Sequence, residues 1–311
     1  MTTRNVTFNS AFCFETQSNL TIYNARETYW TSTNKYFNAT LTFKCPDINC
    51  SALFTGVGIQ PVKPISRAMH FRLKQNWQHD EACQFTNIIN SNTLTHIEKS
   101  YTINQRLNPI PTHFKFTNYT NNNNSVITTD SNESQNTSKQ TYSHHHNYVS
   151  NQNDFHTTSQ LERLVDVFTA YTPAFLKQNK HLLSLNGSEN RYFYNCFKPI
   201  KFFDEHLDIP NIFYGIISNV IKISSGYYIY FKDRSKKDAL PISIYLTNSL
   251  INKYYKRKLL YEFFKLIPEK TSTAMAYFYG TTPTKIETAK GTKLYSINIQ
   301  SLHQLWIEWI K

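Results

Sequence analysis

Three cysteines and one histidine stand in two close pairs within the first third of the chain. Four residues separate Cys45 from Cys50, three separate His79 from Cys83, and 28 lie between the pairs. Thiolates and a neutral imidazole are the soft and borderline donors a tetrahedral Zn2+ takes, and two pairs joined by a loop supply four of them to one ion. Both pairs sit in turn-forming sequence, Cys45-Pro46-Asp47 and His79-Asp80-Glu81, where buried apolar cysteines are not expected. With every position filled by protein, no place remains for water or substrate, so the spacing predicts a structural zinc rather than a catalytic one. His70 is a competing fourth ligand in place of His79.

The elements that would hold these ligands read as strands. Residues 5–43 alternate apolar with polar, as in Ala11–Phe14, Leu20–Tyr23 and Phe37–Phe43, the period of strands with one buried face. The last delivers Cys45, and a further strand, Leu53–Ile59, leaves Cys50, so a metal would clamp strand ends. Arg67, Arg72, Lys74 and Trp77 lie just ahead of the closing pair. They suit phosphate and base contacts, or else a solvated strand face with Trp77 packed against the site.

The order Cys45-Pro46-x3-Cys50, an aromatic strand with Phe54 and Gly56, Met69-His70-Phe71-Arg72 and His79-x3-Cys83 resembles the zinc-binding N-terminal segment of CoiA-like competence proteins and related bacterial proteins. The resemblance covers residues 43–85. It implies a metal-binding segment and adds two expectations, a nuclease-like enzyme or an interaction component of a bacterial antiviral defence or DNA-processing system. Nothing in the chain matches the nuclease half of that family, so no catalytic residue is carried over.

At 311 residues the chain suits two domains of ordinary size. Aromatic residues make up 15%, with 22 Phe and 21 Tyr against seven Gly, a sheet-rich globular profile that excludes collagenous and wholly disordered classes. The fold class predicted is α+β: a β-rich zinc-stapled domain over 1–116, a flexible Asn/Ser/Thr-rich linker over 117–157 containing the run His144-His145-His146, and a basic domain over 158–311. The net charge of +12 is uneven. Residues 1–157 hold 12 basic and 9 acidic side chains (+3), and 158–311 hold 21 and 12 (+9), so a polyanion would dock on the second half. No hydrophobic run reaches the length needed to span a bilayer, and the first residues lack a signal-peptide stretch, so the expectation is a cytoplasmic protein with no membrane partner. An odd count of five cysteines argues against a disulfide framework.

In the second half, Ser159-x2-Glu162 reads as a capping box ahead of an apolar stripe of Leu161, Leu164, Val165 and Phe168, with Pro173 ending the helix. Asn186-Gly187 is a turn and Arg191–Phe197 a strand. Phe213-Tyr214-Gly215 with Gly226, and Phe278-Tyr279-Gly280 with Gly291, read as two similar β-hairpins 65 residues apart. A helix is predicted over Asn248–Ile267, stopped by Pro268. Lys232, Arg234, Lys236 and Lys237 on a turn, with Lys253, Lys256 and Arg257 on that helix, form a candidate phosphate-binding surface for nucleic acid; a protein partner is the alternative. The phosphate-cradling, nucleophile-elbow and zinc-protease motifs are all absent, and Asp204-Glu205-His206-x-Asp208 reads better as a loop than as a magnesium site, so no reaction is assigned.

Overall fold

The computed structural model describes residues 6–31, 34–60, 69–107, 109–116, 157–205, 209–254, 256–269, 273–281, 283–288 and 291–310. Among the described residues the fold mixes helix and sheet, 30% and 35%. The predicted linker over 117–157, its histidine run, Arg67 and residues 206–208 of the acidic group lie outside the described residues, except for Thr157.

The first sheet has the order β1-β6-β5-β4-β2-β3, from β1 (Thr7–Phe8), β2 (Ser10–Cys13), β3 (Ser18–Thr21), β4 (Phe43–Lys44), β5 (Leu53–Val57) and β6 (His70–Leu73). The strand expected over Leu20–Tyr23 stops at Thr21. The Thr21 hydroxyl accepts the Asn24 N–H at 3.1 Å and caps α1 (Ile22–Trp30), so local capping overrides the apolar alternation there. Of the strand expected over Phe37–Phe43, only Phe43 is paired, in β4. Helices α2 (Thr86–Asn90) and α3 (His96–Leu107) follow.

A second sheet, β10-β9-β7-β8, draws strands from both sides of the undescribed segment: β7 (His113–Phe114) pairs with β8 (Thr157–Thr158) and with β9 (Leu182–Leu185), which pairs with β10 (Arg191–Tyr192). Between them stand α4 (Leu161–Ala170) and α5 (Pro173–Gln178). The residue before α4 is Gln160, with no side-chain capping bond, so the Ser159 capping box does not form; Glu162 is instead turned inward. Leu161, Leu164, Val165 and Val167 of α4 share one core with Phe8, Phe43, Phe54, Phe71 and Phe114. That core also takes in Phe197, Ile212, Tyr277, Tyr279 and Trp306. The expected strand over Arg191–Phe197 is interrupted by a 3-10 turn, Phe193–Cys196, which buries Phe193 and Cys196 before β11 (Phe197–Pro199).

The third sheet has eight strands in the order β16-β17-β14-β13-β12-β15-β18, with β11 beside β12. They are β12 (Ile212–Ile223), β13 (Gly226–Arg234), β14 (Pro241–Thr247), β15 (Thr273–Tyr279), β16 (Thr284–Glu287), β17 (Lys293–Asn298) and β18 (Leu305–Ile310). Its core holds Ile229, Phe231, Ile242, Ile244, Leu246, Phe278 and Ile297, closed by Leu259, Leu260, Phe263 and Phe264. Strands β12 and β13 form a hairpin closed by Ser224 and Ser225, where Ile223 pairs with Gly226. A Cβ at Gly226 would come within 2.0 Å of the Leu246 carbonyl oxygen, so only glycine lets β13 lie against β14.

The two Phe-Tyr-Gly segments are not equivalent hairpins. Gly215 lies inside β12, whereas Gly280 (φ +75°) ends β15 and Gly291 (φ +78°) sits in the β16–β17 turn. The segments are instead antiparallel neighbours, Phe213 opposite Phe278 and Tyr214 opposite Tyr277. The helix predicted over Asn248–Ile267 is two helices, α6 (Asn248–Lys253) and α7 (Arg257–Leu266); the break between them carries Lys256 into the interior, and Pro268 lies in the 3-10 turn that follows α7.

Candidate metal centre

Strand β4 carries the chain into Cys45, and a tight knuckle returns it to β5. Within it the Cys45 N–H donates to the Ala52 carbonyl (2.8 Å) and the Cys50 N–H to the Asp47 carbonyl (3.2 Å). The second pair sits on a turn leading into α2, where the Cys83 N–H donates to the Asp80 carbonyl (3.0 Å) and the Thr86 N–H to the Cys83 carbonyl (3.0 Å).

Two aspartates tie the loops to each other. Asp47, on the knuckle, accepts the Gln84 N–H on the second loop at 2.6 Å as well as its own loop's Asn49 N–H at 2.9 Å. Asp80, on the second loop, accepts the Ser51 N–H just past the knuckle at 2.7 Å and the Ser51 hydroxyl at 3.0 Å. The bond from Gln84 holds the Asp47 carboxyl below its ordinary range, so the clamp is ionic and charge-assisted. Sequence reading registered these aspartates only as turn formers. Their signal was available in position, one residue after His79 and two after Cys45, because ligand loops need neighbours to fix them.

The donor atoms of Cys45, Cys50, His79 and Cys83 all lie within 4.8 Å of one another. Cys45 Sγ is 3.9 Å from Cys83 Sγ, and His79 Nδ1 is 3.4 Å from Cys50 Sγ and 3.5 Å from Cys83 Sγ. A tetrahedron with zinc-like bonds has edges of about 3.8 Å between sulfurs and about 3.6 Å between sulfur and nitrogen. The four residues thus enclose a volume of the right size for a metal such as zinc. His70 is not part of the group: it lies in β6 opposite Val57, buried in the sheet.

The electrostatics of the donors fit a cation at their centre. Burial pushes the Cys45 thiol far up and the Cys83 thiol up to about 11; Cys83 and Cys50 add to the rise at Cys45, while at Cys83 Cys50 adds to it and the Cys45 hydrogen bond opposes it. Thiolates so close together repel unless a positive charge lies between them, and a metal ion would release their protons. Burial lowers His79, against the opposing charges of Asp80 and Asp47, leaving a neutral ring whose Nδ1 faces the sulfurs. Phe8 stacks on that ring at 5.6 Å and Phe54 meets it edge-on at 5.7 Å, which fixes its plane.

No family model, curated protein or solved structure matches this chain. Its own geometry therefore carries the functional reading.

The cations expected to meet phosphate do not form one surface. Lys232 and Arg234 are exposed at the end of β13, and Lys236 and Lys237 are exposed in the turn that follows. Lys201 joins them, since the Lys236 N–H donates to its carbonyl (3.0 Å) and both ammonium groups lie over Phe202 at 4.9–5.1 Å. Lys253 and Arg257 are exposed near the far end of β14, whose seven residues span about 23 Å. Lys256 is not a surface residue: it is buried, with Nζ 3.3 Å from Glu162 Oε2. Arg72 and Lys74 are exposed, and Trp77 is 38% exposed. Of the acidic group, Asp204 accepts the Ser235 hydroxyl at 3.1 Å, a structural bond that steadies the basic turn. No described helix is long and apolar enough to cross a membrane.

Proposed function

We propose that this is a zinc-stapled protein that binds nucleic acid through the phosphate backbone, with Cys45, Cys50, His79 and Cys83 holding one structural Zn2+. The zinc reading is supported by the near-tetrahedral spacing of three sulfurs and one imidazole nitrogen, all four supplied by the chain. The ion would fix the two ligand loops and, through β4 and β5, the first sheet. The chain would reach the fold described here only in its loaded form.

The nucleic-acid reading rests on one observation, the run of exposed cations Lys232, Arg234, Lys236 and Lys237 extended by Lys201. Asp238 beside it is already engaged by Lys285 at 3.1 Å and by the Tyr295 hydroxyl at 3.0 Å, so it offsets little of that charge. Such contacts release counterions and carry little base preference. The test is fluorescence anisotropy of the full chain with a labelled oligonucleotide across salt concentrations. Four engaged phosphates give a slope of about −3 to −4 in log K against log[salt], reduced by about one unit for each Lys→Ala change. Salt-insensitive binding, or none, would assign the surface to a protein partner instead.

A further inference from the structure

Burial alternates along β13 from Tyr228 to Phe231, and its register with β14 shifts between Tyr230 and Arg234. Ile229 and Phe231 point into the core, while Tyr228, Tyr230 and Lys232 take the opposite face of β13 and Arg234 continues exposed at its end. Across the ladder, Tyr228 pairs with Tyr245 of β14 on one side and with Ile221 of β12 on the other; Ile221 is 44% exposed. Tyr245 stacks on Tyr228 with centroids 4.8 Å apart, and Tyr230 lies 6.0 Å from Tyr228. The Tyr245 hydroxyl is fixed by Ser225 Oγ at 2.8 Å, and Ser243, a small residue, stands opposite Tyr230. None of the three tyrosines belongs to either hydrophobic core or packs against one. This face thus carries three partly exposed aromatic rings in contact with one another, and the strand continues to the exposed Lys232 and Arg234.

We propose that the outer face of β12, β13 and β14 binds single-stranded nucleic acid, stacking unpaired bases on Tyr228, Tyr230 and Tyr245 while Lys232 and Arg234 hold the adjoining phosphates. This deepens the phosphate-binding reading above and rests on it. Rings on a sheet face reach bases only where pairing does not hide them, whereas a duplex offers this surface its phosphates alone. Alternate positions on β13 are about 6.6 Å apart, a step a stretched strand takes between successive unstacked bases. Charge complementarity selects a polyanion over an apolar peptide, because the rings are followed along the strand by the exposed Lys232 and Arg234.

The experiment compares binding of the full chain to a single-stranded oligo(dT) or oligo(U) of about 12 nucleotides and to a blunt duplex of equal length. The single strands are expected to bind more tightly. Tyr228→Ala and Tyr230→Ala should each weaken them about 5- to 150-fold with duplex affinity unchanged, and the Phe variants should keep single-strand affinity. In the unaltered chain, a photoactivated iodouracil-substituted strand should crosslink to Tyr228, Tyr230 or Tyr245, which decides the matter even where an Ala variant fails to fold. Equal binding of single strand and duplex, unmoved by the Ala variants, or crosslinks confined to other residues, would overturn the stacking platform and leave the basic surface standing. Failure to bind any nucleic acid would remove both.

Discussion

Lys256 Nζ lies 3.3 Å from Glu162 Oε2, with both side chains less than a tenth exposed. The pair joins the break between α6 and α7 to the first turn of α4. Removing one partner leaves a buried charge without its counter-ion, so Lys256→Met is expected to lower unfolding free energy by about 3–5 kcal/mol. The double variant Lys256→Met/Glu162→Leu should recover most of that loss, because an apolar pair of similar volume suits the site at least as well. Urea unfolding in a double-mutant cycle measures both values.

The same interior makes stability depend on pH from two directions. Burial first, and then the charges of Glu308 and of its own helix neighbour Glu162, raise Asp166 well above its ordinary 3.8, against a Tyr23 hydrogen bond and the charge of Arg26. A raised carboxyl keeps its proton in the folded chain while the unfolded chain releases it, so stability is full below about pH 4 and declines as pH rises through the folded value. Asp166→Asn removes that decline. His181 and His303 are lowered by burial from 6.5, so the unfolded chain protonates first and their contribution is lost as pH falls below about 6.5. Thermal unfolding of the unaltered chain and of Asp166→Asn, followed between pH 4 and 9, separates the two effects.

Gly226→Ala tests how the third sheet is closed. Its Cβ would meet the Leu246 carbonyl, a backbone atom that cannot swing aside, and the expected cost is about 3 kcal/mol or more. Gly187→Ala has open space around it and only a left-handed φ of +79° to strain, about 1–2 kcal/mol. Denaturant midpoints for the two variants rank the effects.

Much of the metal centre was legible in the sequence because each ligand pair lies within one short loop, where spacing alone fixes what can converge. His79 over His70 was not legible, since choosing between them required knowing that His70 belongs to a strand. Lys256 read as a surface cation because a break between two helices, invisible to a pattern stepping by four, turns it inward. The matching glycines suggested two like hairpins, yet the similar segments lie side by side in β12 and β15, with Phe213 on Phe278 and Tyr214 on Tyr277. The burial of α4 in one core with residues of the first sheet joins segments from both sides of the undescribed stretch, for which local pattern carries no signal.

Asp47 and Asp80 hold the ligand loops from outside the donor set. Asp47→Ala is expected to weaken zinc affinity about 10- to 100-fold while leaving all four donors in place. Competition with a chromophoric chelator measures this, and an unchanged affinity would mean that the loops are held by the sheet alone.

The most direct measurement is the metal content of the purified full chain. Elemental analysis should find about one zinc per chain, lost from the Cys45→Ser/Cys50→Ser variant, and chelation should lower the unfolding temperature sharply. A chain that is folded, free of metal and unchanged in stability by chelator would contradict the account.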